Sequence, residues 1–273
     1  MRRPGLAGKR NQMNEVNKTL YIPLYGKSKV SQKGIILNDP LAEEIWKEEA
    51  FPIRGKSGSK WLAYNMAMRA RVFDDWTESM LQRNKDALVL HIGCGLDSRC
   101  MRVKSSCSEW IDCDLPDVIE IRKKHFRETE IYHMKALDAS RPEQIASLPN
   151  RDASIVVLEG LSMYLTNSQL HGLLQALAEK YRTLYILMDV YTEFGAKASK
   201  YKNPVKDVGV TRLYGIDDIG SIIDGLRVRF VKEHSFTPEA LVNELAPPER
   251  LFFKLLFTGK MYRKIYRLYE LEA

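Results

Sequence analysis

Five short apolar runs divide the middle of the chain, and four of them lead to a glycine or a carboxylate. Leu88–Ile92 (LVLHI) stops at Gly93-Cys94-Gly95, and residues 110–113 stop at Asp114. Residues 130–134 lead to Ala136-Leu137-Asp138, Ala153–Leu158 ends at Glu159-Gly160, and residues 183–190 (TLYILMDV) form the fifth run. The continuously apolar ones predict strands buried on both faces. Between them lie stretches of helical spacing, 115–125 after Leu115-Pro116-Asp117 and SQLHGLLQALAEKY after the cap-like Leu165-Thr166-Asn167. Strands separated by helices in this way predict parallel pairing, because a right-handed crossover needs a dozen or more residues. The expected fold class is α/β, a Rossmann-like doubly wound and mostly parallel sheet.

The flanks read differently. Asp39-Pro40 before LAEEIW predicts a helix over 40–49 with Asp39 as N-cap and Pro40 at the first helical position. Leu62, Met66, Ala70, Phe73, Trp76, Met80 and Leu81 recur at helical spacing over 61–83. Arg69 and Arg71 on that helix stand just before Asp74-Asp75 and would be solvated or paired with those acids. Residues 226–236 and the closing KIYRLYEL read as strands, an antiparallel edge on the parallel sheet. Between them, Thr237-Pro238-Glu239 opens a helix and 249–257 forms another with an aromatic face. The expected organisation is a flexible tail over 1–18 and one domain over 19–273. That domain comprises a helical cap (19–83), a cofactor-binding core (84–191) and an acceptor-side part (192–273).

Composition narrows the class. With 45% hydrophobic and 28% charged residues among 273, the chain can bury a sizeable core and is not disordered throughout. The formal charge of +7 favours anionic partners without identifying one, and Lys197, Lys200, Lys202 and Lys206 make the 192–220 region basic. No apolar stretch is long enough for a membrane span, and the basic N-terminus has no apolar core behind it. Cys94, Cys100, Cys107 and Cys113 never form CxxC, so they read as reduced thiols of a cytoplasmic protein rather than as a zinc site.

The chemistry begins at the glycine turn. A buried strand ending in Gly-x-Gly lets backbone approach a ligand closely, but Ser98 and Arg99 stand where a dinucleotide fingerprint would have its third glycine. Asp114 lies 19 residues after Gly95, the interval at which doubly wound folds place a ribose-binding acid. A turn without pyrophosphate room and a spaced acid together point to an adenosine-containing cofactor. Gly93, Gly95, Asp114, Asp138 and Glu159 all fall at strand C-terminal ends, where such folds bind ligands.

In IPLYGKSKVSQKGIILNDPLAEEI, MRARVFDDW, HIGCGLDSR, WIDCDLPDVIEIRKKHF, KALDAS and LEGLSMYL, the chain resembles the leucine carboxyl methyltransferase-like family. These are class I S-adenosylmethionine-dependent methyltransferases that include the tetracenomycin-type polyketide O-methyltransferases. The resemblance spans roughly residues 19–183 and implies S-adenosylmethionine as cofactor, with S-adenosylhomocysteine as product. It implies that Gly93, Cys94 and Gly95 pack on the methionyl part, and that Asp114 accepts both ribose hydroxyls. Asp138 would meet the adenine amino group and Ala139 the ring. Arg71 would pair with the cofactor carboxylate, and Glu159, aided by Tyr164, would face its ammonium. Arg69 and Lys27 would be auxiliaries or solvated. Cys94 stands where the family pattern has Ala. Ala139 replaces a bulkier apolar residue of the carboxyl methyltransferase branch, which places the chain nearer the small-molecule branch.

The expected activity is therefore methyl transfer to a hydroxyl or carboxylate of a small, polyketide-like molecule, with no membrane or nucleic-acid partner. The acceptor pocket would be built from the N-terminal helices, segment 192–220 and the stretch 251–262. No general base is identified; His91, His133 and His171 are candidates, with His91 in a buried strand. A protein carboxyl or RNA-associated methyltransferase and a non-catalytic cofactor-binding scaffold share these motifs. A nicotinamide-dependent dehydrogenase would need the missing third glycine.

Overall fold

Strand β1 (Leu88–Ile92) is buried at every position and pairs in parallel with β2 (Glu109–Asp114) on one side and β4 (Ala153–Leu158) on the other. Beyond these, β3 (Tyr132–Ala136) and β5 (Thr183–Tyr191) extend the sheet, both again parallel. A strand with neighbours on both edges and helices on both faces sees no water, which is why this run carries no polar alternation. Two further strands, β6 (Arg229–His234) and β7 (Tyr266–Glu272), complete the order β3-β2-β1-β4-β5-β7-β6, with β7 antiparallel to both neighbours. The computed structural model describes residues 19–53, 55–202 and 213–273. The expected tail 1–18, Lys206, and the side chains of Lys200 and Lys202 lie outside the described residues.

Alternation along the strands sorts the core into two layers. Val89, Ile155, Val157 and Leu187 join the cluster that includes α1 (Tyr21–Ser31), α2 (Pro40–Glu49) and α3 (Lys60–Arg83). Leu88, Leu90, Val156, Leu158 and Ile186 join the opposite cluster, which holds the apolar face of α5 (Asn167–Lys180). Helix α4 (Pro116–His125) follows β2 and adds Ile121 to the first layer, and α6 (Glu193–Lys202) follows β5. The caps read from sequence are in place. Asp39 Oδ1 accepts from the Ala42 N–H at 3.0 Å, and Thr166 and Gln169 form a capping box at the start of α5.

Helix α1 was not legible. Its segment holds Pro23 and Gly26, and it is buried nearly all round, so no polar face marks the helical period. Pro23 falls in the first turn, where a missing N–H costs no helical bond. Gly26 is where α1 meets α3, since a Cβ there would stand 3.0 Å from the Met66 Cβ. Strand β3 starts two residues later than the apolar pattern places it, and β6 is shorter than 226–236. Among the described residues no helix is long and apolar enough to cross a membrane.

Candidate functional site

At the C-terminal ends of the parallel strands lies a cavity of about 460 Å³. Gly93, Cys94, Gly95, Asp114, Asp138, Ala139, Glu159 and Tyr164 all line it, so the structure brings together eight of the nine residues singled out from sequence. The ninth, Arg71, is not there.

The glycine turn is built by backbone conformation. Gly93 and Gly95 have φ of +76° and +51°, values that favour glycine. The N–H groups of Gly93 and Cys94 donate to the Cys113 carbonyl at 2.8 and 3.1 Å, which pins the turn to β2. A Cβ at Gly93 would also come within 3.1 Å of the Leu161 side chain. Cys94 is buried, and burial pushes its thiol well above the ordinary 9, so it serves as an apolar wall.

Asp114 closes the turn from below: its Oδ2 accepts from the Gly95 N–H at 2.7 Å and its Oδ1 from the Leu115 N–H at 2.8 Å. Burial pushes this carboxyl above its usual range, against the pull of those two donors. One strand further out, Asp138 Oδ1 accepts from the N–H and hydroxyl of Ser140 at 2.9 and 2.7 Å. Its Oδ2 stands 3.6 Å from Arg141 Nε. Leu115, Val118, Leu137 and Ala139 add apolar side chains to the cavity lining.

Glu159, at the end of β4, is held by two guanidiniums: Arg69 Nε bonds Oε1 at 2.9 Å and Arg99 Nη2 bonds Oε2. Burial alone would raise this carboxyl, but Arg69 and Arg99 outweigh it and hold it down at about 2. A carboxyl whose folded value is depressed adds stability above its ordinary 4.5 and loses it as pH falls toward about 2. Urea midpoints are therefore expected to fall steadily across that interval, and Glu159→Gln to flatten the fall. Equal slopes for the two proteins would contradict the assignment.

Arg71 pairs instead with Asp75, one turn along α3, at 2.7 Å, and its Nη1 donates to the Ile36 carbonyl. The two arginines lie two residues apart on a helix, about 200° around it, so only one can face the sheet. Arg69 is that one. It reaches Glu159, the Asp189 carboxylate at 3.0 Å and the Tyr266 hydroxyl at 2.8 Å, and it lines the cavity. Lys27 also lines it, bound to Asp97 at 2.5 Å. Arg69 and Lys27 are the only Lys or Arg side chains lining the cavity among the described residues.

Several functional neighbours escaped the sequence reading. Arg99, fully buried, joins Asp74 at 2.6 Å to Glu159 and donates its backbone N–H to Asp97. Its place in GLDSR was visible, but its partners come from α3 and β4. Arg122 donates to the Gly95 carbonyl at 3.0 Å and pairs with the buried Asp112, bracing the turn from behind. The only signal was an Arg on the apolar side of α4, with Val118, Ile119 and Phe126. Tyr191 and Tyr266 are opposed across β5 and β7 and bring their rings to 4.6 Å beside the cavity. Segments 192–220 and 251–262, expected to form the acceptor wall, supply no lining side chain among the described residues. Helices α1 and α3 do so, through Ile22, Pro23, Leu62 and Met66. His91 lines the cavity floor, with Nε2 3.3 Å from Arg99 Nη1. His133 and His171 do not line it.

Comparison with known proteins identifies the family and the fold. Residues 23–178 match the leucine carboxyl methyltransferase family. The chain is 29% identical over 220 residues to the tetracenomycin polyketide synthesis O-methyltransferase TcmP of Streptomyces glaucescens, covering 79% of this chain and 80% of that one. It is 25% identical over 237 residues to the S-adenosyl-L-methionine-dependent methyltransferase dpfgK of Gibberella zeae, covering 77% and 80%. Among solved structures, magnesium protoporphyrin IX methyltransferase ChlM of Synechocystis PCC 6803 with bound SAH has a TM-score of 0.52 at 10% identity, across 94% of this chain and 99% of that one. A Thermobifida fusca YX protein described as a methyltransferase gives 0.55 at 13% identity, across 91% and 93%. These two likenesses speak to the fold alone, the Rossmann-like α/β sheet with its antiparallel C-terminal strands. The chain belongs to the leucine carboxyl methyltransferase family and is an S-adenosylmethionine-dependent methyltransferase.

Proposed function

We propose that the enzyme methylates an oxygen, hydroxyl or carboxylate, of a small molecule with an aromatic, polyketide-like body. The observation that carries this reading is the order of the cavity lining along the sheet edge. Acids and glycines stand at β3, β2 and β1, and aromatic and apolar side chains stand at β5 and β7 and on the facing helices.

The first end suits adenosine. Each Asp114 oxygen accepts one amide N–H and keeps a lone pair, the arrangement a vicinal diol needs. Asp138 spends Oδ1 on Ser140 and keeps Oδ2 for an exocyclic amine, while Leu115, Val118, Leu137 and Ala139 offer a slot for a flat ring. The glycine turn then lies against the methionyl part. Glu159 keeps a lone pair on each oxygen for the ammonium. The carboxylate role expected of Arg71 passes to Lys27 and Arg69. The cofactor supplies a methyl group on a sulfonium, and the chain's own work is to hold the acceptor oxygen in line and keep water out.

Leu62, Met66, Met163, Tyr191 and Tyr266 would hold the acceptor body. Tyr266 keeps its proton, since burial and then Asp189 push it well above its ordinary 10. It therefore positions rather than deprotonates. The relative's name, TcmP's polyketide synthesis O-methyltransferase, supports the acceptor class.

The test is transfer of label from methyl-labelled S-adenosylmethionine to a panel of hydroxylated aromatic polyketides and aromatic carboxylic acids. Label in an organic-extractable product is expected, and alkali then separates the two oxygens: an ester releases methanol, an ether does not. Label moving only to protein or RNA would overturn the reading.

A further inference from the structure

Helix α7 (Pro247–Phe257) presents its apolar side outward. Only Phe253 on it is buried, whereas Leu251 and Leu255 are 76% and 75% exposed and Phe252 and Leu256 are also exposed. Positions i, i+1, i+4 and i+5 form one continuous arc, so these four make a single ridge. The next short helix, α8 (Gly259–Arg263), adds Met261 at 68% exposure. Large apolar side chains exposed singly are ordinary, but a contiguous ridge marks an interaction surface.

Charge identifies the occupant. Across 247–264 stand Arg250, Lys254, Lys260, Arg263 and Lys264 against Glu249 alone. Glu249 is itself taken up by Lys60 at 2.8 Å and by the Tyr64 hydroxyl at 2.7 Å. Counting the paired neighbours Lys60, Glu233 and Glu239, cations still outnumber acids six to three. A second copy of the chain would set this basic face against itself in a two-fold contact, and like charges oppose that. The ridge is built of Leu, Phe and Met, whereas protein hot spots favour Trp, Tyr and Arg seated in pockets. An apolar helix face rimmed by Lys and Arg is the composition that lies in a lipid interface.

We propose that the α7–α8 face docks on an anionic lipid bilayer surface, with Leu251, Phe252, Leu255, Leu256 and Met261 entering the acyl boundary and the basic rim meeting the headgroups. The face adjoins the cavity. The Phe252 ring packs on Trp61 with centroids 4.5 Å apart, and the next residue, Leu62, lines the cavity.

Flotation of the full chain with vesicles tests this. Vesicles of phosphatidylcholine plus phosphatidylglycerol are expected to carry the protein, those of phosphatidylcholine alone to carry much less, and added salt to release it. Leu255→Glu is expected to lower partitioning by about tenfold, since it removes one buried Leu and adds a like charge to the anionic surface. Ile131→Glu serves as the control. It alters an exposed aliphatic residue beside β3, at the opposite edge of the sheet, and is expected to leave flotation unchanged. Both variants are checked for intact S-adenosylmethionine binding by calorimetry. No flotation with anionic vesicles, or equal flotation of wild type and Leu255→Glu, overturns the proposal. So does a wild-type dimer that Leu255→Glu dissociates in sedimentation, since a second copy would then cover the face.

Discussion

Arg99→Ala is expected to lower the free energy of unfolding by about 3–5 kcal/mol, the cost of breaking a buried ion pair from one side. That is a large part of the roughly 5–15 kcal/mol that holds a typical domain together. Arg99 has no exposed surface, and its guanidinium joins Asp74 on α3, Glu159 at the end of β4 and the His91 ring on β1. Truncation leaves three buried carboxylates, Asp74, Asp97 and Glu159, with less compensation. Arg69 and Arg102 remain for them, which keeps the effect short of complete unfolding. Arg99→Lys is expected to recover only part, because one ammonium cannot serve Asp74 through Nε and Glu159 through Nη2 together. Urea denaturation at neutral pH measures it. A loss under about 1 kcal/mol would mean that Arg69 and Arg102 carry the cluster and Arg99 is incidental.

Asp114→Ala has the largest expected effect on the ligand. On the proposed ribose contact, it weakens S-adenosylmethionine by about 2 kcal/mol, roughly thirtyfold, the loss of hydrogen bonds to a charged acceptor. S-adenosylhomocysteine and adenosine are expected to lose as much, because all three carry the same diol. A mutation that merely loosened the glycine turn would act differently. Gly95 and Leu115 would lose their acceptor, and the penalty would grow with the methionyl part of the ligand. Calorimetry with the three ligands separates the two cases, and an unchanged adenosine affinity would remove Asp114 from the ribose.

The strands show how far local pattern reaches. β1 and β4 were legible to the residue, because central strands of a parallel sheet are apolar on both faces and end abruptly where the ligand edge begins. Asp39 and Thr166 announced their helices through side chains that satisfy orphan N–H groups, a requirement that exists before any tertiary contact. α1 failed this test, since burial on every side erased its period. The stretch 251–262 misled for the opposite reason. Its aromatic and aliphatic residues resemble a pocket wall, since apolar groups usually face inward, but four of them on α7 face water.

The site divides in the same way. Gly93, Gly95 and Asp114 belong to one βαβ unit, so their spacing is set by the crossover and could be counted along the chain. The same holds for Asp138 and Glu159, each at a strand end. Which arginine meets Glu159 could not be counted. Arg69 and Arg71 share one helix and similar neighbours in sequence, and the rotation of α3 against β4 and β5 turned Arg69 inward and left Arg71 to Asp75. Arg99 reaches Asp74 and Glu159 across 25 and 60 residues, the partners of Arg69 are 90 to 197 residues away, and Tyr266 reaches the cavity only because β7 inserts antiparallel beside β5. The sequence by itself determined the sheet, its ligand edge and the acids standing there, since strand burial, crossover length and capping are local requirements. Only the tertiary structure decided which cations neutralise those acids and which aromatic rings face the cavity, because charges in a dry interior are matched across elements and not along the chain.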